Sequence, residues 1–277
     1  MIVFRFCFLL LILLPFSAQA ELSLSGSLTQ GGLLLGQVPA GSRVYFGEQA
    51  LKLSADGFFI LGFGRDAKPR QSLTWITPAG KVETRDLQIV QRQYQIERID
   101  GISQKMMAPD EKAMQQIRRD AAQASAARRH DSDLPFFNDT FIWPVKGRIS
   151  GVYGSQRIFN DEPRRPHFGV DIAAPTGTAV IAPAGGKVTL AHSGMFFSGK
   201  TLIIDHGHGL SSSFLHLDTI LVKENQRVAQ GEKIATVGAT GRVTGPHLDW
   251  RINWFDVRLD PVLLVPEMAT DQPTKKN

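Results

Sequence analysis

Cysteine is almost absent. Cys7 is the single one in 277 residues, and it lies in an apolar N-terminal stretch. Removing residues 1–20 on export would leave a chain without a thiol, which excludes disulfides and Cys-His nucleophilic catalysis. Also missing is any apolar run of the ~20 residues needed to span a bilayer. Phe6 to Phe16 is well short of that, has Arg5 ahead of it, and is followed by Ala18-Gln19-Ala20 as a small-residue cleavage site, so residues 1–20 read as a signal peptide. Cys7 sits inside the apolar core and not at a cleavage point, which argues against lipid attachment there. No nucleic-acid motif accompanies the formal charge of +5, and Arg5 is the only charged residue in the leader. The mild basic excess suits an anionic wall polymer or membrane surface, or solubility alone. Export without disulfides fits a bacterial envelope protein, periplasmic or secreted, with no membrane span once the leader is gone.

What is present is ordinary globular composition, 43% hydrophobic and 21% charged, in a chain long enough for two modest domains. Residues 21–100 read as short strands in a small β-sandwich or barrel. Ser42 to Gly47 and Phe58 to Leu61 are strand signatures, Asp56-Gly57 is a hairpin signal, and Thr77-Pro78-Ala79-Gly80 is a turn before Lys81-Val82. Nothing in this domain is arranged for chemistry. A structural role, substrate binding, an envelope protein partner, or a cover over a catalytic site are the roles open to it.

The period then changes. Pro109-Asp110-Glu111 opens a helical segment with Met114, Ile117, Ala121 and Ala124 at helical spacing, running through Arg129. Residues 101–133 therefore read as a helical linker, with Arg118-Arg119 and Arg128-Arg129 as solvated charge. From residue 134 to 265 the chain is strand-rich again, and residues 266–277 read as a disordered tail. Ile181 to Ala191 and Gln226 to Ile234 look like strand-turn-strand units of a compact barrel. The same pattern occurs in lipoyl and biotinyl carriers, which have no use for the histidines described next.

Chemistry concentrates in that second β region. His167 and Asp171, four apart with Gly169 between them, are residue types that ligate divalent ions, and a tight glycine lets both side chains converge. Gly245-Pro246-His247-Leu248-Asp249-Trp250 reads as a strand entered from a turn, with His247 and Asp249 on one face and Leu248 and Trp250 on the other. Ser212 to Leu217 reads as a further strand carrying His216. The loop from Ser155 to Pro166 is long, polar and charged, which suits the wall of a cleft.

In this order, these motifs resemble the catalytic domain of lysostaphin-type (LytM-type) zinc metallopeptidases, whose members cut peptides of bacterial peptidoglycan. The resemblance covers roughly Pro144 to Pro261. It implies a mainly β, barrel-like catalytic domain, zinc as cofactor, and peptidoglycan peptides as substrate, with cross-links between stem peptides the expected bonds. Carried over residue by residue, it implies His167 and Asp171 as metal ligands and His216 and His247 as catalytic residues. Asp249 stands where the family has a histidine as third ligand.

That departure matters. A His-Asp-Asp set neutralises a divalent ion, whereas His-Asp-His leaves one positive charge, so the expectation is a weaker Lewis acid and activity that is lower or shifted to higher pH. Asp249 is either a direct ligand, or orients His247 while His247 turns to the metal. The remaining histidines have simpler readings: His206 and His208 as residues of a Gly-rich turn near the site, His192 at a strand end, His130 at the end of the helix. A non-catalytic LytM-type regulator that activates other wall hydrolases is the alternative to an endopeptidase, and a passive wall-binding module is a third reading.

Overall fold

The computed structural model describes residues 22–100 and 110–268. The leader expected in residues 1–20, with Cys7, lies outside these, as do residues 101–109 of the linker and 269–277 of the expected tail. Eight strands precede the helix: β1 (Ser23–Gly26), β2 (Leu33–Gln37), β3 (Arg43–Phe46), β4 (Gln49–Leu51), β5 (Phe58–Gly62), β6 (Arg70–Ile76), β7 (Val82–Gln88) and β8 (Ile96–Ile99). The first seven form two sheets, ordered β1-β2-β5 and β4-β3-β6-β7. Alternation along them turns Leu34, Phe59, Leu61, Leu73 and Leu87 inward, all essentially inaccessible to solvent. The turn ending in Gly80 closes the β6–β7 hairpin, with the Gly80 amide donating to Thr77 O.

Asp56-Gly57, by contrast, closes no hairpin. β4 pairs with β3 while β5 pairs with β2, so this turn carries the chain from one sheet to the other. The reason is non-local: the Val38 amide donates to Gly57 O, and β5 completes a ladder opened more than twenty residues earlier.

Helix α1 (Glu111–Arg128) is capped by the Asp110 side chain, which accepts from the Ala113 amide at 2.8 Å, so the helix begins one residue after that cap. Its buried residues are Asp120 and Ala127, while Ala121 of the expected stripe is exposed. Ala127 packs on Leu190, Met195 and Ile203. Among the described residues, no helix is long and apolar enough to cross a membrane.

The rest of the chain contributes β9 (Arg148–Gly151), β10 (Gln156–Phe159), β11 (Glu162–Pro163), β12 (Val170–Ala173), β13 (Ala179–Ile181), β14 (Gly186–Met195), β15 (Gly199–Gly207), β16 (Leu210–Ile220), β17 (Arg227–Val228), β18 (Lys233–Val237), β19 (His247–Trp254) and β20 (Val257–Leu259). One large sheet runs β17-β14-β15-β16-β19-β12-β9, with β18 joining β13 to β16 and β20 flanking β19. The two segments read as strand-turn-strand units pair with each other, β13 with β18 and β14 with β17, instead of folding back as separate hairpins. The stretch before His167 is not a plain loop. Its β10–β11 hairpin is extended by β8, which runs parallel to β10. One continuous apolar cluster joins Phe59 and Leu61 to Trp250, Ile252 and Leu259, and Arg92 of the first unit pairs with Asp260 of the second at 2.7 Å.

Candidate metal centre

β12 and β19 are adjacent and antiparallel, and their register sets Asp171 directly opposite Asp249. Leu248 and Trp250 are fully buried beneath, which forces His247, Asp249 and Arg251 to the other face. His167 lies just before β12. The result is a group of three, His167, Asp171 and Asp249, whose candidate ligand atoms all fall within 4.8 Å of one another.

Two of those atoms are stranded. His167 Nε2 and Asp171 Oδ1 are 3.3 Å apart, and each is buried with no hydrogen-bond partner among the described residues. A cation between them would satisfy both, and the donor set of one imidazole and two carboxylates suits a borderline ion such as zinc. Burial opposes the charged imidazolium of His167, but the Asp171 and Asp249 carboxylates outweigh it and raise its pKa above the ordinary value.

Gly169 contributes space. A β-carbon there would lie 2.6 Å from Asp249 Oδ1 and from Arg251 Cγ, so the chain passes the carboxylate only as glycine. The sequence pointed to this glycine for its turn, but what the site needs from it is the close approach.

His216 and His247 stand beside this group, with ring centroids 4.9 Å apart. His216 takes φ +63°, and its amide donates to Ser198 O, so the strand bulges to present the ring. Its Nδ1 faces Thr240 O at 2.9 Å, and His247 Nδ1 faces Gly245 O at 2.9 Å. A carbonyl only accepts, so both rings carry their proton on Nδ1 and leave Nε2 as a free base. His247 Nε2 lies 3.8 Å from Asp171 Oδ1. Burial lowers the His216 pKa below its ordinary value, which keeps that ring neutral at pH 7.

The residue that sequence reasoning missed is Arg251. Its Nε donates to Asp249 Oδ1 at 2.9 Å and to Oδ2 at 3.1 Å, and Nη2 also donates to Oδ2. Burial alone would push the Asp249 pKa up, but the guanidinium reverses this and pulls it down to about 2. Opposite charges at i and i+2 on one strand face were the available signal. A carboxylate bound in this way still has lone pairs to offer a metal.

Arg251 also changes the charge expected of the set. With its positive charge counted, His-Asp-Asp-Arg leaves a divalent ion one net positive charge, as His-Asp-His does, so the expected loss of Lewis acidity does not follow.

The other expectations sort as follows. His206 belongs to β15 and not to a turn near the site. It is fully buried, its ring bonds Gly185 O and Ser212 Oγ at 2.7 Å each, and Phe141 packs edge-on against it. His208 stacks on Phe137 at 3.8 Å. Arg128 is half-buried instead of solvated, while Arg129 is exposed and pairs with Asp256 at 3.0 Å. A cleft of about 760 Å³ opens beside the centre, walled by His167, Asp171, Arg165 and Arg251 on one side and by Ile96 and Gln156 of the extended hairpin on the other.

A sequence model described as Peptidase family M23 matches residues 165–261. The chain is 42% identical over 141 residues to the peptidoglycan DD-endopeptidase ShyB of Vibrio cholerae, covering 51% of this chain and 28% of ShyB. It is 34% identical over 128 residues to the murein hydrolase activator NlpD of Escherichia coli, covering 46% of this chain and 32% of NlpD. The chain thus spans about a third or less of the length of these curated relatives. Among solved structures, one described as peptidase M23 from Pseudomonas aeruginosa is similar at a TM-score of 0.65 and 29% identity, over 86% of this chain and 94% of the other. That likeness extends well beyond the family match.

Proposed function

Over residues 165–261 the chain belongs to peptidase family M23, and from that premise we propose that it is an exported zinc metallo-endopeptidase hydrolysing peptide bonds, most naturally cross-links, of bacterial peptidoglycan. The observation that carries this reading is the pair of stranded atoms, His167 Nε2 and Asp171 Oδ1, in one group with Asp249 and beside two imidazoles whose Nε2 atoms are free.

In this reading His167, Asp171 and Asp249 hold the ion. Bound there, zinc supplies an acidified water and polarises a carbonyl. His216, neutral at pH 7, accepts a proton through Nε2 and returns it to the leaving amine. His247, with its Nδ1 proton held by Gly245 O, presents Nε2 to the same space as a second acceptor for a proton or for a hydrogen bond from the attacking water. Arg251 holds Asp249 in one orientation. The extended β10–β11 hairpin walls the cleft and limits access of water.

The second reading is a non-catalytic regulator of other wall hydrolases. It is favoured by the similarity to an activator and by the Arg251 guanidinium, a cation already bound to Asp249. One experiment separates the two: elemental analysis of the purified chain from Glu21, with incubation of sacculi with and without a chelator and alongside His216→Ala. Stoichiometric zinc, with cleaved cross-links that vanish on chelation and in the variant, supports the endopeptidase. Absent zinc and intact sacculi would overturn it in favour of the regulator.

A further inference from the structure

A group of arginines beside the candidate metal centre has no acid to answer it. Arg165, exposed at the rim, lines the cleft together with His167, Asp171 and Arg251. The guanidinium carbons of Arg165 and Arg258 lie 5.6 and 5.9 Å from the centroid of the same ring, Phe168. Arg128 reaches the group from the last turn of α1. The acids nearby face elsewhere: Asp249 towards Arg251, Asp256 towards Arg129, and Asp171 towards His167. Among the described residues, Arg128, Arg165 and Arg258 make no ion pair.

Donors are also in excess. Arg128 Nε and Asn253 Nδ2 are buried without an acceptor, and Asn253 Oδ1 accepts from Arg258 Nη1 at 3.2 Å. Burial, then repulsion from the neighbouring arginines, lowers the pKa of Arg128 to about 10 and that of Arg258 to about 9. Like charges held together with unanswered donors cost free energy in the free protein, and an anion would remove that cost.

We propose that Arg128, Arg165 and Arg258 form an anion site beside the metal centre, and that its ligand is a free carboxylate of an acidic peptide. Guanidinium forks match a carboxylate in shape as well as charge. Arg165 lines the cleft with His167 and Asp171, so a carboxylate held by it lies next to the bond offered to the metal centre, and the site selects peptides carrying an acid near the scissile bond. Only the naming of the peptide as substrate rests on the endopeptidase reading. The anion site itself does not.

The test titrates an N-acetylated tripeptide with a free C-terminal carboxylate, and the same peptide as its amide, into the full chain, followed by NMR. Arms with chelator and with His167→Ala remove the metal centre, and Arg165→Gln and Arg258→Gln remove the anion site. The acid is expected to bind the native chain at least ~10-fold more tightly than the amide, the worth of a charge-assisted hydrogen bond. That preference is expected to survive chelation and His167→Ala and to collapse in both arginine variants. Equal binding of acid and amide would overturn the proposal. So would a preference that vanishes with the metal centre, which would place the carboxylate on the ion, or one that persists in both arginine variants. Inorganic phosphate displacing the acid at far lower concentration would also overturn it, by assigning the site to a phosphate-bearing ligand. Because the chelated and His167→Ala arms need no metal, a failure of the hydrolase reading leaves this result unchanged.

Discussion

Arg251 grips Asp249 through three hydrogen bonds across a spacing of two residues on one strand face. Asp249 is 3% exposed in its side chain and Arg251 25%, so the pair is effectively buried on the carboxylate side. Removing only the cation strands a buried charge, and in general breaking one partner of such a pair costs about 3–5 kcal/mol. Arg251→Met is expected to lose ~3 kcal/mol, the lower end because the guanidinium is partly wet. Urea unfolding of the chelated chain measures it. A loss below ~1 kcal/mol would mean that the pair contributes as little as a surface one.

The same pair predicts a coupled substitution. Asp249→His places an imidazole at the third candidate ligand position but leaves Arg251 without its anion, so under the proposed function zinc affinity is expected to fall ~10–100-fold, the usual scale for disturbing a ligand's support. Adding Arg251→Gln removes the repelling charge and is expected to recover at least ~10-fold of that loss. Competition with a chromogenic chelator reads both. A double variant no better than the single one would show that Arg251 is not the compensating charge.

How far the site could be read from the chain depended on range. His167 with Asp171, and His247 with Asp249, are spacings within one turn and one strand, and the burial of Leu248 and Trp250 follows from period-two alternation. Arg251 was equally local and readable by the same alternation. Arg128 and Arg258 were not readable, because they meet only when α1 packs on β14 and β15 and the β19–β20 hairpin closes beneath its end. The small sheets show the same limit. Strands β3 and β5 were legible as segments, but the pairing of β2 with β5 depends on contacts across the turn at Gly57, and local turn chemistry reads that turn as a hairpin.

His206 makes stability depend on pH. Burial pushes its pKa down to about 4, against ~6.5 for the unfolded chain. Between those values the unfolded state binds the proton that the folded state refuses, so stability rises with pH through the window and is lost as pH falls from ~6.5 towards 4. The full span corresponds to ~3 kcal/mol. Urea midpoints measured across that range should drop on acidification, and the His206→Gln variant should flatten the curve. An equal slope in the variant would assign the effect to other groups.

Asp120 links the helix to the catalytic candidates. Its Oδ2 accepts from the Phe196 amide at 2.6 Å and its Oδ1 from Gln116 Nε2 at 2.6 Å, which fixes α1 against the β14–β15 connection. Two residues on, Ser198 O accepts the amide of His216, the residue held at φ +63°. Asp120 is therefore a positioning residue for the His216 ring. Asp120→Ala leaves the part-buried Phe196 amide without its acceptor and is expected to cost ~1 kcal/mol of stability. It should also lower kcat several-fold while KM and zinc content stay near native, because the candidate ligands lie on β12, on β19 and in the segment just before β12. Asp120→Asn keeps an oxygen for the Phe196 amide and should restore most of kcat. If kcat is unchanged in the alanine variant while stability falls, the helix merely braces the fold, and the bulge at His216 holds its ring without help from α1.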